Sequence, residues 1–271
     1  MSTAVTSPHE RIVEVADGRL AMHVRIGGDG PPLVYLHPAG GLFWDPFLER
    51  LASGYTVYAP EHPGTSAEDP YAVHRVDSWL ELLLCYEELV RSLVDGPATV
   101  VGQSYGGMLA ADLAAVFPDR VGRLVLLDPI GLWRDDTPIP LVELCASGPE
   151  ELASYLFHDP GCDAAKAMFI PPDDPELAVT ATAAMVWALG CTGKFFWPIA
   201  DHGLARRLYR VTAPTLVVWG REDALVPVAY AEEFAARIPQ SQVVVIDDAG
   251  HIPQLEQTEA TAAAVEAFLG P

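Results

Sequence analysis

Basic side chains are scarce in this sequence. Sixteen lysines and arginines face 37 acidic residues over 271 positions, a formal charge of −21, and the only lysines are Lys166 and Lys194. A nucleic-acid partner needs a basic patch, and so does docking on an anionic membrane, so the balance argues against both. Cysteine is sparse too. Cys85, Cys145, Cys162 and Cys191 lie far apart, without C-x-x-C or nearby histidine pairs, a pattern of free buried thiols in a reducing compartment. There is no long apolar run. The most suspicious, Ala178 to Gly190, has 13 residues including two threonines, too short to cross a bilayer. The opening residues, MSTAVTSPHER, lack the apolar stretch of a secretory signal. No G-x-x-x-x-G-K-S/T or G-x-G-x-x-G motif prepares a nucleotide site, and no H-E-x-x-H or Cys/His cluster prepares a metal site. The expectation is a cytoplasmic protein without cofactor or metal, acting on a small neutral or apolar molecule.

What is present is a globular composition, 50% hydrophobic and 20% charged, long enough for one large α/β domain or two small ones. Short β-rich runs alternate with helix-period segments. Arg11–Val15 and Ala21–Ile26 form a hairpin around Asp17-Gly18. Leu33–Leu36 is an apolar strand ending in His37-Pro38-Ala39-Gly40-Gly41, followed by a helix over Phe43–Leu51 and a strand over Thr56–Ala59. Asp77 caps an amphipathic helix reaching Val94. Then come strand Thr99–Val101, helix Tyr105–Phe117 and strand Arg123–Leu127. After an interruption the rhythm resumes with strand Thr215–Trp219, helix Ala229–Ile238, strand Gln242–Ile246 and helix Thr258–Leu269. Strands that alternate with helices and lack polar alternation imply a mostly parallel sheet covered on both faces. The interruption, Pro129 to Arg210, spans 82 residues, far beyond an ordinary connection. Its helix-period stretches, Glu150–Phe157 and Glu176–Leu189, make it a helical cap. The core is then 1–128 with 211–271, and the cap 129–210.

The strongest local signal is Gly102-Gln103-Ser104-Tyr105-Gly106, placed between a strand and a helix. A nucleophile on so sharp a turn stands clear of the sheet at a helix N-terminus, and the strained backbone admits only small neighbours at Gly102 and Gly106. A serine hydroxyl also needs a histidine to take its proton and an acid to orient that histidine. Among eight histidines, His251 stands out because it follows a strand in Asp247-Asp248-Ala249-Gly250-His251. Asp223, in Gly220-Arg221-Glu222-Asp223, also follows a strand. Ligands of open α/β sheets bind on that side. Asp128, which ends the strand Arg123–Leu127, rivals Asp223 as the acid. His37 reads as structural, holding its loop by hydrogen bonds, with a ligand contact as the alternative. In the cap most aromatics serve its own core, but Phe195-Phe196-Trp197-Pro198 exceeds what a small insertion buries. Trp187, Phe196 and Trp197 are therefore candidate pocket residues, together with Gly40 and the Tyr105 side chain.

Together these pieces resemble the α/β-hydrolase fold superfamily, capped serine-hydrolase branch, over nearly the whole chain. His37-Pro38-Ala39-Gly40, Pro63-Gly64-Thr65-Ser66, Gly102–Gly107, Gly220–Asp223 with Val226-Pro227, and Ala249-Gly250-His251 carry the likeness. It implies a mostly parallel eight-stranded sheet with helices on both faces and a helical cap inserted after the sixth strand. It makes Ser104 the nucleophile, His251 the base and then acid, and Asp223 the orienting carboxylate, with oxyanion amides from Tyr105 and Ala39. Pro38 stands where the family usually has glycine and donates no N–H, which leaves Gly40 as the alternative donor. Serine at 104, where epoxide hydrolases and haloalkane dehalogenases carry aspartate, argues against both. The expected activity is hydrolysis of carboxylic esters or related acyl bonds. Carbon–carbon bond hydrolases resemble it as well, although Ile252-Pro253-Gln254-Leu255-Glu256 lacks the tryptophans that commonly flank that segment. A lyase, a perhydrolase or a weakly catalytic receptor-like binder uses the same scaffold. An apolar cap surface makes a homodimer unsurprising.

Overall fold

A computed structural model describes residues 8–199 and 201–270; the first seven residues of the MSTAVTSPHER segment lie outside them. Eight strands form one sheet: β1 His9–Val15, β2 Leu20–Gly27, β3 Pro32–Leu36, β4 Thr56–Pro60, β5 Ala98–Gln103, β6 Val121–Leu127, β7 Thr215–Gly220 and β8 Ser241–Ile246. Their order is β1-β2-β4-β3-β5-β6-β7-β8. Only the β1–β2 and β2–β4 pairs are antiparallel. The central strands are apolar on both faces: every residue of β7 is buried, and β5 exposes only part of Thr99. Such strands need cover on both sides.

Ten α-helices supply the cover and the cap: α1 Pro46–Ala52, α2 Trp79–Leu93, α3 Tyr105–Val116, α4 Leu141–Ala146, α5 Pro149–Leu156, α6 Asp163–Phe169, α7 Pro175–Phe196, α8 Ala229–Arg237, α9 Pro253–Glu256 and α10 Thr258–Leu269. One core joins α2, α3 and α8 to the sheet. The other joins α1 and α10 to its opposite face. Helices α4 to α7 all fall between β6 and β7, as a cap after the sixth strand requires.

Several boundaries shift for local reasons. Helix α1 begins at Pro46 and not at Phe43, because the Asp45 side chain accepts the Leu48 N–H and proline suits the first helical position. The cap of α2 is Ser78, whose Oγ accepts the Glu81 N–H at 3.2 Å, while Glu81 reaches back to the Asp77 N–H at 2.8 Å. Asp77 thus sits one place outside a capping box. Of the four free cysteines, Cys85 and Cys191 are buried, but Cys145 is exposed and Cys162 half-buried. Cys162 Sγ instead accepts the Ala165 N–H at the start of α6.

The run Ala178–Gly190 needs a larger correction. It belongs to the 22-residue α7, which is long and apolar enough to cross a membrane by length and composition. Thr180, Thr182, Gly190 and Gly193 break up the apolar run without breaking the helix. The C-terminal half packs Ala188, Cys191, Thr192, Phe195 and Phe196 into the protein. Most of the N-terminal half is exposed.

The returning chain is anchored by a buried acid. Asp112, in the middle of α3, accepts Trp79 Nε1 at 2.6 Å and a bidentate pair from Arg207, Nε at 2.6 Å and the second terminal nitrogen at 2.7 Å. Asp112 is 1% exposed, so its charge depends on these partners. Asp112→Ala is expected to cost about 2–4 kcal/mol, read as a lower urea midpoint with unchanged slope.

Candidate active site

Ser104 sits between β5 and α3 with φ 53° and ψ −114°, a conformation that side chains rarely adopt. Neighbouring glycines make the turn possible. A Cβ at Gly102 would lie 2.3 Å from the Gly106 carbonyl oxygen, and one at Gly106 would lie 2.0 Å from that of Leu36. The turn is further pinned by the Ser104 N–H donating to Leu127 at 2.9 Å and by Met108 N–H donating to the Ser104 carbonyl at 3.0 Å.

Three side chains meet here from three strand ends. His251 Nε2 lies 2.8 Å from Ser104 Oγ, and His251 Nδ1 lies 2.8 Å from Asp223 Oδ2. Asp223 Oδ1 accepts the N–H groups of Leu225 and Val226 at 2.9 and 2.8 Å. An ionised carboxylate facing three donors is well solvated by protein, fixes the Nδ1–H tautomer and leaves Nε2 free to accept the serine proton. All three residues are buried. Asp128 is also buried, yet its Oδ1 takes the Gly220 N–H at 2.8 Å, and the His251 hydrogen bond goes to Asp223. Atoms of Asp128, Asp223 and His251 lie within 4.8 Å of one another. A cation there would have to displace N–H donors already aimed at Asp223, so the donor set suits proton chemistry better than metal binding.

The loop after β3 completes the chemistry. Among the described residues, the amides of Tyr105, Ala39 and Gly40 have no hydrogen-bond acceptor, so they remain available to a developing oxyanion. His37 holds this loop from below. Its Nδ1 donates to the Pro38 carbonyl at 2.6 Å, and its Nε2 accepts the His62 N–H at 2.9 Å. Both nitrogens are therefore used by structure. Burial lowers the His37 pKa to about 4, so the ring stays neutral beside the site. His62, unassigned from sequence although it directly precedes Pro63-Gly64-Thr65-Ser66, forms the next link. Tyr105 Oη lies 3.2 Å from His62 Nδ1. Burial pushes the Tyr105 phenol well up and the His62 imidazole well down. The phenol therefore donates and the neutral ring accepts. The Cys191 carbonyl favours a proton on the other nitrogen only weakly, and Nε2 makes no hydrogen bond of normal geometry.

Helix α7 lies directly over this floor. Thr192 Oγ1 lies 3.1 Å from the Ala39 carbonyl and shares its hydrogen with the Ala188 carbonyl at 2.9 Å. Met185 Sδ would stand 3.1 Å from a Cβ on Gly40, so a larger residue there would have to push the thioether aside. Phe195 packs edge-on to His62, with ring centroids 5.5 Å apart, and Phe196 is tilted against Tyr105 at 5.3 Å. Trp187, in contrast, is drawn to the core surface: its Nε1 donates to the carbonyls of Gly64 and Pro70 at 3.0 and 2.9 Å. Trp197 ends α7 at 46% exposure, and no described contact joins it to Ser104. The structure thus places Phe196 against Tyr105 and puts His37 and Gly40 in the loop after β3, while Trp187 is hydrogen-bonded to Gly64 and Pro70 and Trp197 is exposed. Sequence reading missed Gln103, whose Nε2 donates to the His251 carbonyl at 3.0 Å, and Glu256, whose carboxylate accepts N–H groups from Gly250, His158 and Asp159. Both lie inside motifs already singled out, but neither spacing nor residue type marks them.

Residues 31–258 match the family model described as alpha/beta hydrolase fold. The chain is 26% identical over 286 residues to a 2-hydroxy-6-oxo-6-phenylhexa-2,4-dienoate hydrolase of Burkholderia cepacia, covering 96% of this chain and 95% of that protein. It is 30% identical over 254 residues to a pimeloyl-[acyl-carrier protein] methyl ester esterase of Aromatoleum aromaticum, covering 87% and 97%. Among solved structures, a bacterial membrane phospholipase A superposes with TM-score 0.79 at 24% identity, over 97% of this chain and 86% of that one. Naproxen esterase from Bacillus subtilis does so with TM-score 0.75 at 18% identity, over 97% and 92%.

The neutral His37 gives a prediction with a definite sign. Above its ordinary pKa of 6.5 neither the folded nor the unfolded ring binds a proton; between 6.5 and about 4 only the unfolded ring does. Stability is therefore lost as pH falls through that window. The stability advantage of wild type over His37→Gln is expected to narrow by about 1.4 kcal/mol per pH unit there, measured by urea unfolding at successive pH values.

Proposed function

Because the chain belongs to the alpha/beta hydrolase fold family, we propose that it is a serine hydrolase of carboxylic esters or related acyl compounds. The observation that carries this reading is the pair of 2.8 Å contacts running from Ser104 Oγ through His251 to Asp223 Oδ2. His251 Nε2 takes the serine proton as Oγ attacks the carbonyl carbon. The negative charge that develops on the carbonyl oxygen is met by the Tyr105 amide and one from the Ala39–Gly40 turn. His251 then hands its proton to the leaving group. Water, deprotonated by the same nitrogen, releases the acid from Ser104.

The surroundings favour a neutral, largely apolar acyl group. Phe196, Tyr105, Phe195 and Met185 bring rings and a thioether to the region, and His37 and His62 are held neutral by burial. The cation carried by α7 is committed elsewhere, since Lys194 Nζ donates to the carbonyls of Val73 and Val76 at 3.1 and 2.6 Å. An anionic substrate would also approach a chain of charge −21, against the field.

A second reading, hydrolysis of a carbon–carbon bond, draws support from the near full-length similarity to the dienoate hydrolase. The committed Lys194 and the aliphatic Ile252 and Leu255 weigh against it, and the same triad would serve either reaction. The test begins with a fluorophosphonate probe. One adduct is expected on wild type and none on Ser104→Ala, and the substitution should lower kcat on a turned-over ester by roughly 10⁴- to 10⁶-fold. Equal labelling of both proteins would overturn the reading. p-Nitrophenyl esters of increasing chain length should outperform a dianionic ester in kcat/KM at low salt. The reverse order would remove the preference for neutral substrates. Tight binding of one ligand without turnover would favour a receptor-like role.

A further inference from the structure

One buried acid beside the triad has no part in the mechanism above. Asp128 leaves β6 with φ 42° and is 0% exposed. Its N–H is taken by the Val218 carbonyl at 3.0 Å, and its Oδ1 by the Gly220 N–H at 2.8 Å. Its Oδ2 is buried without a hydrogen-bond partner. Close by, Asp223 accepts three N–H donors, from Leu225, Val226 and His251. The two carboxyls and His251 approach within 4.8 Å.

Two buried carboxyls at this range do not both carry charge. The donor count decides which keeps the proton. Asp223, with three donors, is the better carboxylate; Asp128, with one, is the better acid. No lysine or arginine hydrogen-bonds to either among the described residues. The remaining titratable groups facing the pair are His251, on the loop after β8, and Glu256 on α9, whose charge adds to the repulsion.

Resting on the serine-hydrolase reading of this site, we propose that Asp128 is a positioning residue that stays protonated and donates its Oδ2 hydrogen to Asp223, holding that carboxylate in line with His251. The proton fills the one vacant hydrogen-bonding position on Asp128 and gives Asp223 a fourth donor. It also keeps a single negative charge behind His251. With a second one the ring would already hold a proton at rest, and an imidazolium has no free nitrogen to accept the serine's. Burial, then the neighbouring Asp223 charge, raise the Asp128 pKa well above the ordinary carboxyl range.

Asp128→Asn preserves the pattern, with an acceptor for Gly220 and a donor toward Asp223. Asp128→Leu keeps the volume and abolishes the pattern. With the fluorophosphonate probe, Asp128→Asn should label within about threefold of wild type, whereas Asp128→Leu should label about 10- to 100-fold more slowly. Equal rates for Asp128→Leu and wild type, or an Asp128→Asn as slow as Asp128→Leu, would overturn the proposal.

Stability supplies a readout independent of activity. A raised carboxyl pKa contributes stability that is lost as pH rises, because only the folded form must hold the proton. The stability of Asp128→Asn relative to wild type should therefore increase between about pH 5 and about pH 8. A gap that stays constant would show Asp128 ionised and end the proposal, even if Asp128→Leu failed to fold. Ser104→Ala separates the two readings: labelling that survives it defeats the nucleophile assignment, while the pH-dependent gap still decides the proton on Asp128.

Discussion

The positive φ of Ser104 is the constraint around which the site is built. A residue held in that conformation must be over-determined by its surroundings, and here the surroundings are the sheet itself. Ser104 is hydrogen-bonded to the end of β6, Gly106 presses on the carbonyl of Leu36 at the end of β3, and Gln103 grips the carbonyl of His251 beyond β8. The same backbone that presents the hydroxyl therefore fixes its distance to the histidine loop and to the Ala39–Gly40 turn. Packing of apolar central strands keeps these ends in register.

Charge is handled sparingly around that turn. The two histidines nearest the oxyanion loop are neutral; His37 is fixed by hydrogen bonds at both nitrogens and His62 by one to Tyr105. They pass mechanical support from the loop after β4 to Ala39 and to the Tyr105 ring without adding a field at the carbonyl. A protonated imidazole in either place would hold negative charge in the ground state as readily as in the transition state, which gives no acceleration. The carboxylate nearest His251 lies behind it, at Nδ1, on the side away from Ser104.

Much of this was legible in the sequence, and the reasons are local. The parallel core announced itself because its strands are apolar on both faces, and Ser104, Asp223 and His251 follow β5, β7 and β8 within a few residues. One helix start slipped by a single position where two capping residues stood adjacent, Asp77 and Ser78, and another by three where Asp45-Pro46 set the first turn. Trp187 was offered as a pocket residue from the aromatic excess of the cap, and sequence could not show that its N–H would be taken by the Gly64 and Pro70 carbonyls. Asp128 and Asp223 could not be separated from sequence, since both end strands. Only the direction of the His251 Nδ1 hydrogen bond distinguishes them. Helix α7 was cut short for a related reason: glycine and threonine lower an apolar average but do not stop a helix whose C-terminal half is packed.

Glu256 ties the cap to the catalytic histidine more closely than a lid would allow. One oxygen of its carboxylate accepts the N–H of Gly250, immediately before His251, and the N–H of His158; the other accepts that of Asp159. These two residues lead from α5 to α6, so the middle of the cap and the His251 loop share a single anchor. A hinge placed there would unseat His251 each time it moved. The first half of α7, by contrast, is mostly exposed, so the cap is held firmly to the core at this joint and far less along that stretch.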